Sequence, residues 1–232
     1  MSRVIGVDLL REMAIASPEG WSPARARLRG EAIELIKAED LVEAAYSYNI
    51  VPLEGSAAET LRVGGETLYA PQMLPVSGEL TALGCGVTTL GPRIETRVRK
   101  LFGEKRASLA MAMDGLANEM LMALDRRIQD RMLSECYRRR LSMAGELRAG
   151  DPGLDIGAQA AVLRLANAQS IGVKINGSHL MTPLKSTSLV LGVGRNLPAV
   201  SWSRCDTCPS MKTCNFGRRP KAAVPNSARG VN

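Results

Sequence analysis

The sequence predicts an α+β fold: a mostly antiparallel, bent sheet flanked by helices. Three observations carry this. Residues 106–140 hold apolar side chains at helical spacing. Several short segments, 45–53, 61–69, 83–90 and 188–193, alternate or are β-branched and are bounded by Gly and Pro. The chain has 232 residues, 45% of them hydrophobic, enough for one compact domain with a sizeable core.

In chain order, residues 7–13 read as a short helix ended by Ser17-Pro18-Glu19-Gly20. Ser22-Pro23 opens a second helix, with serine placed to cap the first free N–H groups and proline at a position that needs none. Its apolar positions are Ala32, Ile33, Leu35, Ile36 and Leu41. Residues 45–53 form a strand, and residues 61–69 form two strands turning at Gly64-Gly65. Residues 83–90 form a buried strand stopped by Gly91-Pro92. A basic helix covers residues 92–102. In the long helix that follows, Leu109, Met113, Leu116, Met120, Leu124 and Ile128 make one core-facing stripe. Residues 145–157, rich in Gly and Pro, are expected to form an irregular loop. A short helix at 158–167 precedes strands at 173–176 and 188–193, joined by a loop at 179–187.

The net charge of +7 is unevenly placed. From Ser201 onward six basic residues face one acid, so this stretch carries +5 and the first 200 residues only +2. The organisation expected is an α+β domain over 1–200, a Cys-rich segment over 201–219 and a disordered tail over 220–232. A near-neutral body with 3% aromatic residues weighs against nucleic acid as a partner. The N-terminus carries an acid where a secretory signal would be apolar, and the apolar run 109–124 is broken by Asp114, Asn118 and Glu119. A cytoplasmic protein without a membrane partner is expected.

Cys205, Cys208 and Cys214 give a C-x2-C-x5-C spacing suited to holding one ion, either zinc or an iron–sulfur cluster. A fourth ligand would come from Cys85, Cys136, His179 or an exogenous group, and the bland alternative is three unligated thiols. The hydroxyl-rich loop around Lys185 is a candidate ligand surface, with a solvated connection as its alternative. Asp114 and Glu119 lie near the apolar stripe, where an acid meets either a partner such as arginine or a cationic ligand.

Further segments carry a resemblance. Gly91-Pro92-Arg93-Ile94-Glu95, Met113-Asp114-Gly115-Leu116-Ala117-Asn118-Glu119, Ile171-Gly172-Val173-Lys174-Ile175-Asn176-Gly177-Ser178 and Met181-x-Pro183-x-Lys185-Ser186 resemble the activation domain of vitamin B12-dependent methionine synthase. The short stand-alone relatives end in clustered cysteines followed by arginine, as Cys205, Cys208, Cys214 and Arg218 do. The resemblance implies an accessory protein for reductive activation of a cobalamin-dependent methyltransferase, binding S-adenosylmethionine and capping the cobalamin domain. A flavodoxin- or ferredoxin-type donor would supply one electron, and methylation would trap the reduced cobalt. An alternative is a small electron-transfer or metal-sensing protein that uses the C-terminal cysteines on the same scaffold.

By this resemblance Asp114 and Glu119 are acids of the binding face, and Ser178, Met181, Pro183, Lys185 and Ser186 belong to the cap. The family's R-x-x-P-G-Y loop corresponds to Arg140 through Glu146, with Arg140 and Gly145 as its ligand-contacting positions. Here Ala144 replaces the proline and Glu146 the tyrosine. No D-x-H-x-x-G cobalamin motif occurs, so the resemblance implies that cobalamin arrives on a partner polypeptide.

Overall fold

The computed structural model describes residues 2–4 and 21–198. The helix expected at 7–13, the three clustered cysteines and the tail lie outside the described residues. Nine strands are described: β1 (Ser2–Val4), β2 (Ala45–Ala57), β3 (Thr60–Val63), β4 (Glu66–Tyr69), β5 (Glu79–Thr89), β6 (Ser142–Leu147), β7 (Lys174–Ile175), β8 (Met181–Thr182) and β9 (Ser186–Arg195). The helices are α1 (Pro23–Ala38), α2 (Arg93–Gly103), α3 (Ala107–Arg138) and α4 (Gln159–Leu165). The main sheet runs β4-β3-β2-β5-β9-β6, with β1 also pairing β2, and all its pairings are antiparallel. The expected α+β architecture is what the chain adopts.

Local chemistry explains the start signals. The Ser22 side chain accepts a hydrogen bond from the Arg25 N–H, with Pro23 as the first helical residue of α1. Gly64 and Gly65 both take positive φ, 55° and 75°, which gives the two-residue turn that joins β3 to β4 with the proper twist.

The sheet buries both faces. On one, the α3 stripe from Leu109 to Ile128 packs with Ile33, Ile36, Ile94 and Leu101 against Tyr46, Leu189 and Leu191. On the other, Leu83, Cys85, Val87 and Val190 meet Val162, Leu163 and Val173. Gly84 and Gly86 stand on the α3 side of β5, where an added Cβ would come within 3.2 Å of Met132 and 2.8 Å of Ile128. Their missing side chains let the helix lie close to the strand.

Two expectations require correction. Residues 145–157 are not loop throughout: β6 occupies Ser142–Leu147 and pairs with β9 as an edge strand. Gly145, at φ 70°, sits where the register shifts between Ala144 and Leu147, and that bulge breaks the alternation a sequence reader looks for. The connection at 179–187 also contains structure. β8 pairs with β7 as a separate small hairpin, and β9 already begins at Ser186.

Candidate ligand site at the seam between α3 and β9

Asp114, Asn118 and Asp125 are spaced by four and seven residues, so one side of α3 carries all three. Lys185, immediately before β9, and Thr187, two residues on within it, both face α3. The fold brings these two lines together. Lys185 Nζ lies 2.7 Å from Asp114 Oδ1 and donates to Asn118 Oδ1 at 2.8 Å. The Lys185 side chain is 13% exposed, whereas that of Asp114 is 43% exposed and forms the open rim.

Further along, Asp125 is buried. Its Oδ1 accepts from Thr88 Oγ1 at 2.6 Å, and Oδ2 lies 2.8 Å from Arg148 Nη2. Arg148 also donates to Glu146 Oε1 at 2.9 Å and to Thr187 Oγ1. Burial pushes the Asp125 carboxyl above its ordinary range, opposed by the Arg148 charge and the Thr88 hydrogen bond. Burial works against the Arg148 charge, but the Asp125 and Glu146 carboxylates more than restore it.

The loop leading into β9 is anchored as well. Leu184 N donates to Glu95 Oε2 at 2.5 Å, and Lys185 O accepts from Leu90 N at 2.9 Å. Within this seam three carboxylates (Asp114, Asp125, Glu146) face two cations (Lys185, Arg148). The surplus carboxylate lies beside Arg148 at the buried end, while at the exposed end Asp114 and Lys185 balance one another and Asp114 is the acid open to a ligand.

Of the residues expected to bind a ligand, the seam unites Asp114 and Lys185, with Pro183 buried just before them. Glu119 turns the other way: both its oxygens accept from Arg29, at 2.9 and 2.6 Å. That is the ion-pair outcome, and it removes Glu119 from the seam. The Ser186 hydroxyl bonds Thr89 Oγ1 at 2.8 Å, and the Met181 sulfur accepts from Gln159 Nε2 at 3.6 Å, so both are engaged with the opposite face of the sheet. Ser178 is exposed in the β7–β8 hairpin, its N–H bonded to Asn176. Gly145 is in the β6 bulge beside Glu146.

Arg140 departs most from expectation. It follows the far end of α3, and at 1.5 Å per residue Asp114 and Arg138 are roughly 36 Å apart. Arg140 and Asp114 cannot touch one small ligand.

Asn118, Asp125, Glu146 and Arg148 were missed by sequence reasoning, and Thr187 is included only as part of the hydroxyl-rich loop around Lys185. The Asp114-Asn118-Asp125 spacing on one helix side was the available signal. Glu146 and Arg148, an acid and a base two residues apart at the end of β6, were another.

The fourth-ligand candidates also sort by burial. Cys85 and Cys136 are both fully buried free thiols, and burial pushes that of Cys85 up to about 12, against the thiolate that metal ligation needs. His179 is exposed. Among the described residues no group of three or more His, Cys, Asp or Glu side chains is placed to hold a metal ion. No described helix is long and apolar enough to cross a membrane.

No protein-family model matches the chain, and no curated protein matches it. Among solved structures, the MetH reactivation domain bound to AdoHcy aligns with a TM-score of 0.60, over 81% of this chain and 70% of that one. This chain has the fold of the MetH reactivation domain. The two sequences are 12% identical, so the likeness is one of architecture.

Proposed function

We propose that this protein assists the reductive activation of a cobalamin-dependent methyltransferase, capping a cobalamin-bearing domain on another polypeptide and presenting S-adenosylmethionine to it. The observation that carries this is the Asp114–Lys185 pair at the accessible end of the seam, with Asp114 on the open rim, on a fold whose solved counterpart holds AdoHcy. S-adenosylmethionine carries a sulfonium, an ammonium and a carboxylate, and an exposed acid beside a lysine offers partners of both signs. Bound there, it would supply a methyl group.

The chain's own part is positioning. Asp114 would exchange its Lys185 partner for a cationic group of the ligand, and the freed Lys185 would stay held by Asn118 and face the ligand carboxylate. Arg148 would keep Thr187 and β9 fixed against α3, so the ligand meets a rigid wall. Exposed Leu180 and Leu184, with Met111 and Met122 on α3, provide apolar surface for a capped domain. A flavodoxin- or ferredoxin-type donor completes the scheme as the electron source.

Calorimetric titration with S-adenosylmethionine tests this reading. Saturable binding is expected, weakened about tenfold or more in Asp114→Asn through loss of a charge-assisted contact. Added in trans to an oxidised cobalamin-dependent methyltransferase with a reductant, the chain should speed the return of activity. Absence of both saturation and any gain in recovery would refute the proposal.

A further inference from the structure

At the end of α3 remote from the seam lies a groove of about 630 Å³, lined by Tyr137, Arg138, Arg140, Ser142, Asn196 and Leu197 among others. That is the size of a small-molecule site. From the groove geometry and its charge we propose that it binds a phosphorylated small molecule carrying an aromatic ring, a nucleoside monophosphate in chemical class.

The cationic groups are present and uncommitted. Arg139, between them, pairs with Glu135 at 2.6 Å, whereas Arg138 and Arg140 are exposed and have no ion pair or hydrogen bond from their side chains among the described residues. Residues 126–140 hold six arginines against Asp130 and Glu135. A phosphate monoester carries about −1.5 to −2 charge at neutral pH, which matches two guanidinium groups, and arginine's planar fork suits phosphate oxygens. The Tyr137 ring, 75% exposed, offers a face for a planar group.

The walls are fixed in advance. Ser142 Oγ donates to Gly194 O at 3.1 Å and accepts from Leu197 N at 3.1 Å, tying the start of β6 to the chain that leaves β9. Arg140 takes positive φ, 57°, directly after the helix end, a place where glycine is the unstrained choice. The helix dipole opposes an anion here with about half a charge. Two full guanidinium charges outweigh it, and the Cys136 and Tyr137 carbonyls are already bonded by the N–H groups of Leu141 and Arg140.

Calorimetric titration of the full chain with AMP, adenosine and inorganic phosphate tests the site. AMP should saturate, adenosine should not, and inorganic phosphate should bind more weakly than AMP. The double variant Arg138→Gln/Arg140→Gln, with its circular dichroism spectrum unchanged, should weaken AMP about tenfold or more, and Arg139→Gln should leave it unaltered. Asp114→Asn should not alter AMP binding, which separates this site from the seam. Failure of AMP to saturate, wild-type affinity in the double variant, or inorganic phosphate binding as tightly as AMP would overturn the proposal.

Discussion

Replacing Glu119 by alanine distinguishes a structural ion pair from a ligand-binding acid. Arg29 is 6% exposed, and two guanidinium nitrogens reach the Glu119 carboxylate at 2.9 and 2.6 Å. Its Nε has no hydrogen-bond partner among the described residues, and its guanidinium carbon lies 5.6 Å from the centroid of the Trp21 ring, a weak contact at that range. Removing Glu119 therefore leaves a buried charge with little compensation. A fully buried pair broken on one side costs about 3–5 kcal/mol. The Glu119 side chain is 23% exposed, so water offsets part of this and about 2–3 kcal/mol is expected. For a domain of this size that lowers Tm by roughly 5–10 °C.

Urea unfolding followed by circular dichroism measures the loss. The double variant Arg29→Met/Glu119→Leu should recover most of it, because neither charge is then left buried. A Glu119→Ala loss below about 0.5 kcal/mol, with no recovery in the double variant, would refute the reasoning. So would S-adenosylmethionine binding abolished in a Glu119→Ala protein that remains folded.

Two further outcomes follow from the same geometry. A Cβ on Gly194 would lie 1.9 Å from the backbone oxygen of Glu79, so Gly194→Ala should cost about 3 kcal/mol in urea unfolding. Gly86→Ala, whose Cβ would meet side-chain atoms alone, the end of Ile128 at 2.8 Å and Leu189 at 3.3 Å, should cost about 1 kcal/mol; equal losses would contradict this. Asp125 has a raised folded-state carboxyl, so the folded chain binds more protons than the unfolded one above the ordinary carboxylate range. Stability relative to Asp125→Asn should therefore fall as pH rises from the ordinary aspartate value towards the raised folded one. Urea midpoints for both proteins at pH 4, 5.5 and 7 check the sign, and a difference that grows with pH contradicts it.

Much of the fold is legible before any coordinates. The stripe from Leu109 to Ile128 names the buried face of α3, because helical periodicity is a property of neighbouring residues. Ser22-Pro23 and Gly64-Gly65 mark an N-terminus and a turn for equally local reasons. The site is less legible. Asp114 and Lys185 were each visible as candidates, but their pairing was not. Spacing places Asp125 on the Asp114 side of α3, but nothing local says that Arg148 and Thr187 meet it. Strand β6 escaped notice because its backbone hydrogen bonds are supplied by β9, and Gly145 interrupts its pattern.

Residue order alone decides which segments are helical, which face of α3 is apolar, and that the acids and bases along the first 200 residues nearly balance. Long-range packing decides which acid meets which base. Glu119 finds Arg29 across 90 residues of chain, and Lys185 finds Asn118 across 67. The cause is range: backbone preference and periodicity act over a few residues, whereas charge pairing acts over a few ångströms of space, and only the folded chain relates the two.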